Sequence, residues 1–187
     1  MKINAIVKKY LAATKRFLLW SCKTEDTLYL SNGCSILKVA LNEVNELGRE
    51  DMPNLYTMDT GVVYKGLQAT TETVELFTRN LETAEEKSAF SAIFTGFSKK
   101  EVGKTVDLYS YINDNDNYIP WAIDEKYHKI IQVIGVFSPV VSGKHSPGLV
   151  IDAMDPKNCK VEFLVCPIRL EDDFFKPILD LYRAEEG

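Results

Sequence analysis

Apolar and polar positions change period several times along this chain, and the changes mark out its elements. From Ala5 to Lys15, Val7, Tyr10, Leu11 and Thr14 recur at the i, i+3, i+4, i+7 spacing of a buried helical stripe. Lys8, Lys9, Lys15 and Arg16 fall on the opposite side, and Met1–Asn4 is expected to start a strand before this helix. Phe17–Lys23 and Thr27–Leu30 read as strands joined by a Thr24-Glu25-Asp26 turn. Ser31-Asn32-Gly33 is a strong turn signal leading to a third strand over Cys34–Leu41. The same order returns near the far end. Val106–Ile112 reads as a strand and Asn113–Asn117 as a polar loop. Asp124 then caps a helix through Phe137, with Tyr127, Ile130, Ile131 and Ile134 inward and Lys126, His128 and Lys129 around its other side. A Pro/Gly/Ser loop over Ser138–Gly148 precedes a hairpin of Leu149–Met154 and Val161–Ile168. The pattern of strand, basic amphipathic helix and extended apolar segments therefore occurs twice.

The stretch between the copies is polar over Asn42–Asn54, with Pro53 as a breaker. Gly61–Gln68 and Glu72–Arg79 alternate as strands do. Thr83, with Glu86 three residues on, predicts a capped helix over Glu82–Phe97 whose stripe is Ala89, Phe90, Ile93 and Phe94. Gly96 to Gly103 is expected to be loop. After Leu170, Glu171–Glu186 predicts a helical tail that Pro177 shortens or kinks. No low-complexity linker intervenes. The expected organisation is an α+β unit over 1–170 with a divergent middle at 42–105, followed by the tail at 171–187.

Composition narrows the function classes. With 187 residues, 45% hydrophobic and 26% charged, the chain can bury a substantial core. A net charge of −5 argues against a uniformly basic nucleic-acid binder but leaves room for a local basic surface. At this size the four cysteines, Cys22, Cys34, Cys159 and Cys166, need no disulfide. Cys34 and Cys166 sit in apolar strand-like runs, where buried free thiols are common, so a reducing compartment is expected. No apolar run approaches the ~20 residues of a crossing helix. The apolar stretch from Phe17 to Trp20 is far short of the ~7–15 residues of a signal core, and the protein is expected to be cytoplasmic.

Catalytic and metal constellations are sparse. His145 lies in the loop SGKHSPG and His128 on a helix flank, and these are the two histidines. A Cys–His nucleophilic pair is outweighed by a surface histidine and unrelated buried thiols. Cys159 and Cys166 lack the close spacing of zinc ligand pairs. Asn113–Asn117 is no calcium loop, because the glycine is missing and Tyr118 stands where an oxygen ligand is needed. Ser138 occupies the position where a phosphate loop ending in Gly143-Lys144 needs glycine. No cofactor or metal is expected. A binding protein is the primary expectation. The alternatives are an α+β enzyme with a site assembled from scattered Cys, His145 and carboxylates, or a partner-binding protein of a mobile element.

Two segments carry a family resemblance. Phe17–Leu41, FLLWSCKTEDTLYLSNGCSILKVAL, resembles the first half of a domain of the bacterial DNA polymerase sliding clamp (beta subunit), where a hairpin leads to an A-T-D-G-like turn. Ser31-Asn32-Gly33 stands at that turn, with Asn32 in place of the family's acid. Pro147–Leu170 resembles the closing strands of such clamps, which end in a V-x-M-P-M-R-L-like segment. Cys166-Pro167-Ile168-Arg169-Leu170 is the local match, with Cys166 and Ile168 replacing two methionines. The resemblance implies a clamp-like domain of two strand–helix–strands halves, with antiparallel sheets and helices on one face. It implies a non-enzymatic processivity factor of DNA replication in a bacterium or phage. Lys8, Lys9, Lys15, Arg16, Lys126 and Lys129 would face duplex DNA without reading sequence. Pro167, Ile168 and Arg169 would receive short peptides of replication or repair proteins. A clamp ring is closed by six domains and this chain supplies roughly one, so the resemblance implies either a homo-oligomer around DNA or a protein that has kept the fold and lost the ring. In the tail, Ile178-Leu179-Asp180-Leu181-Tyr182 faintly resembles the peptides that bind clamps, without their leading glutamine.

Overall fold

The computed structural model describes residues 3–86, 88–101, 103–112, 118–135, 140–142, 149–154 and 160–168. The amino-terminal stripe forms helix α1 (Ile3–Ala13), which buries Ile3, Ile6, Val7, Tyr10 and Leu11. The strands β1 (Trp20–Lys23), β2 (Thr27–Ser31) and β3 (Ser35–Ala40) follow as an antiparallel meander. A short 3-10 turn at Leu41–Glu43 ends it. β4 (Val63–Lys65) and β5 (Gln68–Ala69) then pair outward from β1. Helix α2 (Glu75–Glu86), β6 (Ser88–Ser91), β7 (Ile93–Glu101), β8 (Lys104–Ile112) and β9 (Tyr118–Asp124) come next. Helix α3 (Glu125–Ile134) precedes β10 (Val140–Ser142), β11 (Leu149–Met154) and β12 (Lys160–Val165).

The architecture is α+β, with every strand pairing antiparallel. A nine-stranded sheet runs β5-β4-β1-β2-β3-β12-β11-β10-β6, and a separate three-stranded sheet runs β7-β8-β9. The large sheet has a mirrored order about its centre. The third strand of the first copy pairs with the last strand of the second, Leu37 opposite Phe163, and β2-β1 and β11-β10 extend away on either side.

Period-two alternation gives this sheet two buried faces. Leu28, Leu30, Leu37, Val39, Val161, Phe163 and Val165 point to the face that α1 and α3 cover together. Phe163 lies under both helices, 6.1 Å from the Tyr10 ring, which meets it edge-on, and 6.2 Å from the Tyr127 ring. The alternate residues, Tyr29, Ile36 and Leu164, face α2, where Phe77 and Leu81 pack. α1 and α3 thus share one face, while α2 covers the other. The small sheet closes over the outer flank of α3 with Tyr109, Trp121 and Ile123.

Several expectations are corrected. Glu72–Arg79 was expected as strand, but α2 begins at Glu75: the buried Phe77 and Leu81 obey a helical i, i+4 spacing, and the alternation of Val74, Leu76 and Thr78 is incidental. The helix expected over Glu82–Phe97 ends at Glu86, and β6 and β7 follow. Their partners β10 and β8 are remote in sequence, and pairing overrides the local helical stripe. The loop expected from Gly96 is strand through Glu101. A register shift between Phe94 and Ser98 accommodates Gly96 at φ 81°, a bulge that glycine permits. Val140–Ser142 is strand within the Ser138–Gly148 stretch expected as loop. β9 was not among the expected strands, and it contains Pro120. Proline is tolerated there because β9 is the edge of its sheet. The middle at 42–105 supplies both edges of the large sheet, β5 and β6, as well as α2. The strand expected over Met1–Asn4 is contradicted at Ile3 and Asn4, which already belong to α1 because Ile3 joins the buried helical stripe of Ile6, Val7 and Tyr10. Met1, Lys2, the Asn113–Asn117 loop, His145, Arg169 and the 171–187 tail lie outside the described residues.

Candidate nucleic-acid interface

Helix α1 presents one polar stripe outward because its apolar stripe is consumed by the sheet. Ala5, Lys8, Lys9 and Ala12 are exposed at helical spacing, and Lys15 and Arg16 continue the stripe just past the helix end. None of the four cations is ion-paired among the described residues. The stripe is bordered by a groove of about 400 Å3 between α1 and the Glu46–Arg49 segment. Lys8, Lys15 and Arg49 line it, with Glu46 as the opposing charge. Arg49 is held in place by donating to the Thr14 carbonyl at 3.3 Å, the Phe17 carbonyl at 3.2 Å and Asp51 Oδ1 at 2.8 Å. The hydrogen bond from Arg49 holds the Asp51 carboxyl below its ordinary range.

The α3 cations behave differently. Asp124 caps α3 by accepting from the Lys126 amide at 3.1 Å, and its other oxygen lies 3.2 Å from Lys126 Nζ. That ammonium also sits 4.7 Å over the Phe17 ring and 4.8 Å over the Tyr127 ring, so it is held between the end of α1 and the start of α3. Lys129 pairs with Glu125 one turn earlier, the favourable orientation for a helix. The hydrogen bond from Lys129 lowers the Glu125 carboxyl. The structure therefore brings α1 and α3 into contact, and among the described residues it leaves the positive charge unpaired on α1 and balances it on α3.

His128, expected beside these lysines on the outer flank, is buried instead. The reason is the small sheet, which covers that flank. The Tyr109 hydroxyl lies 2.6 Å from its Nδ1, Gln132 Nε2 lies 2.8 Å from its Nε2, and the Phe94 ring lies tilted against it with centroids 4.2 Å apart. Burial lowers its tendency to protonate. Asp107 and Glu125 oppose that shift, and Lys129 adds to it.

Of the residues predicted to receive peptides, Arg169 lies outside the described residues, and Pro167 and Ile168 line neither the α1 groove nor the cleft on the α2 face. Pro167 and Ile168 are half-buried. The Ile168 amide donates to the Ala122 carbonyl at 2.8 Å, and its side chain packs on Val106, Leu108 and Ala122 behind the small sheet. Their neighbour Cys166 does reach a cleft, of about 300 Å3, on the α2 face. Trp20, Ile36, Leu76, Asn80 and Leu164 also line it. This cleft was not legible in the sequence because one wall is α2, whose segment reads as strand. Among its lining residues there is no histidine or carboxylate. No helix among the described residues is long and apolar enough to cross a membrane. No family model matches the chain, and no similar curated protein is found.

Proposed function

We propose that this protein is a non-enzymatic, sliding-clamp-like factor that holds duplex DNA without sequence preference, acts with replication or repair proteins, and works in the cytoplasm of a bacterium or in a phage-infected cell. The observation that carries the reading is the unpaired basic stripe of α1, set beside α3 on one face of a sheet of mirrored strand order. On a protein of net charge −5, such a stripe is a local field that attracts phosphates while the rest of the surface repels them. Contacts of this kind gain affinity by releasing counterions and carry no base information. The enzyme reading has less support: the α2-face cleft has no acid–base pair among its lining residues, and His128 is enclosed by Phe94 and Tyr109.

The test is charge reversal read by binding at several salt concentrations. Changing Lys8, Lys9, Lys15 and Arg16 to Glu is expected to abolish retention of duplex DNA while leaving thermal unfolding intact, because all four side chains are exposed. Neutralising each one singly should flatten the slope of log K against log salt by about 0.9. Lys129→Gln is expected to change that slope little, since its charge is already balanced by Glu125. Equal DNA binding by the wild type and the fourfold reversed variant would overturn the assignment.

A further inference from the structure

The centre of the large sheet carries a chemical feature that the DNA-binding reading does not use. The β3–β12 ladder pairs Ile36 with Leu164 and Ser35 with Val165. One step further along the ladder, Cys34 stands opposite Cys166, and the Cys166 amide donates to the Cys34 carbonyl at 2.8 Å. Hydrogen-bonded residues opposed in an antiparallel pair have Cα atoms about 5.5 Å apart, inside the roughly 4.4–6.8 Å range that a disulfide spans. Each cysteine is two residues from Ile36 or Leu164, so strand alternation directs both side chains toward the α2 face, where Cys166 lines the cleft beside Gly33 and Ser35. Both are free and exposed, which corrects the expectation that they are buried core thiols. They lie just beyond the ends of β3 and β12. Among the described residues Cys22 is the buried thiol, fully enclosed against the same face.

We propose that Cys34 and Cys166 are a cross-strand dithiol that a low-molecular-weight disulfide, such as oxidised glutathione, converts into an intramolecular disulfide. One protein thiolate attacks glutathione disulfide, forming a mixed disulfide and expelling one glutathione thiolate. The second protein thiolate displaces the other glutathione. Two protein thiols lose two electrons, one glutathione disulfide gains them, and the protons end on the two glutathiones released. The Asn32-Gly33 turn is prepared for this bond. Asn32 Oδ1 accepts from the Cys34 amide at 3.0 Å and the Ser35 amide at 2.9 Å, which holds the backbone of Cys34 in place before the thiols meet. The product fastens that turn to the end of β12 across the mouth of the cleft. Cys22 cannot compete without unfolding. Proximity is also visible at Cys166, which reaches solvent yet is partly desolvated by the groups crowded around its thiol, and whose thiol is pushed up first by that desolvation and then by Cys34.

The test uses the full chain, reduced and then equilibrated in glutathione buffers of graded potential, alkylated, and mapped by proteolysis and mass. The expected result is the loss of two alkylatable thiols in one step and a Cys34–Cys166 linked peptide in a monomolecular product. A rise in Tm on the order of 5–10 °C should accompany it, because a long chain loop is closed. Cys166→Ser should instead stop at a mixed disulfide of Cys34 with one glutathione, with no rise in Tm. Linkage of either residue to Cys159, persistent mixed disulfides in the wild type, or no reaction under oxidising buffers would each overturn the proposal. The outcome is independent of whether the protein binds DNA.

Discussion

Asn32 shows how much structure one side chain can organise. Its Oδ1 accepts from the Cys34 and Ser35 amides and from the Ser35 hydroxyl at 2.9 Å, while its Nδ2 donates to the Tyr127 hydroxyl at 2.7 Å. The β2–β3 turn is thereby tied to α3. Tyr10 ties the same turn to α1, with its hydroxyl 3.1 Å from Ser35 Oγ and 3.2 Å from the Ser35 carbonyl. Burial drives the Tyr10 hydroxyl far above its ordinary range, so it remains a neutral donor. The turn was legible from Ser31-Asn32-Gly33, but its partners were not, since Tyr127 is distant in sequence. His128 carries a pH prediction at this scale. Burial lowers its folded-state pKa below the ordinary 6.5, against the opposing charges of Asp107 and Glu125. A depressed pKa means that the unfolded state binds the proton more readily. The contribution of neutral His128 to stability is therefore complete above about pH 6.5 and is lost as pH falls through the lower folded value. Denaturant unfolding of the wild type should weaken across that acid window. His128→Gln should remove the slope, and a wild type as stable at the acid end as at neutrality would contradict this account.

At the scale of elements, the ones read correctly are those whose buried stripe and boundary signals coincide. α3 is the clearest: Asp124 caps it, Tyr127, Ile130, Ile131 and Ile134 are buried, and Gly135 takes φ 88° as it ends. Asp124→Ala is expected to cost about 1 kcal/mol of stability by removing the cap, measurable as a shift in denaturant midpoint. It should also release the Lys126 ammonium from its carboxylate partner. If the cap is the cause, Asp124→Asn or Asp124→Ser will restore most of the loss. α2 and β6–β7 were misread for the opposite reason. Their local patterns suit either state, and the choice is made by partners: the apolar wall of Tyr29, Ile36 and Leu164 for α2, and β10 and β8 for the strands.

The whole molecule raises the question of assembly. Its large sheet ends in β5, whose Gln68 and Ala69 are exposed, and in β6 at the far side. A ring built from this chain requires several copies, so the clamp reading predicts a solution mass that is a defined multiple of 21.2 kDa. Light scattering, alone and with circular or linear duplex, checks it. An oligomer retained on circles and lost from linear ends supports encirclement. A 21.2 kDa monomer that dwells equally on both leaves the α1 stripe as a binding surface and removes the ring.

The sequence by itself determined the class of the protein and the content of its two helical faces. Periodicity, caps and turn residues act over a few neighbours, and α1, α3, the β2–β3 hairpin and the β11–β12 pair are all decided at that range. Only the tertiary structure decided which charges remain free. Lys8 and Lys126 are indistinguishable as letters, yet one is exposed with no ion partner among the described residues and the other is held by Asp124 and two aromatic rings. The same holds for Cys34 and Cys166, which stand far apart in the chain and are opposed only because β3 and β12 pair. Long-range strand pairing and burial leave no trace in a local pattern, and on this protein they decide its candidate chemistry.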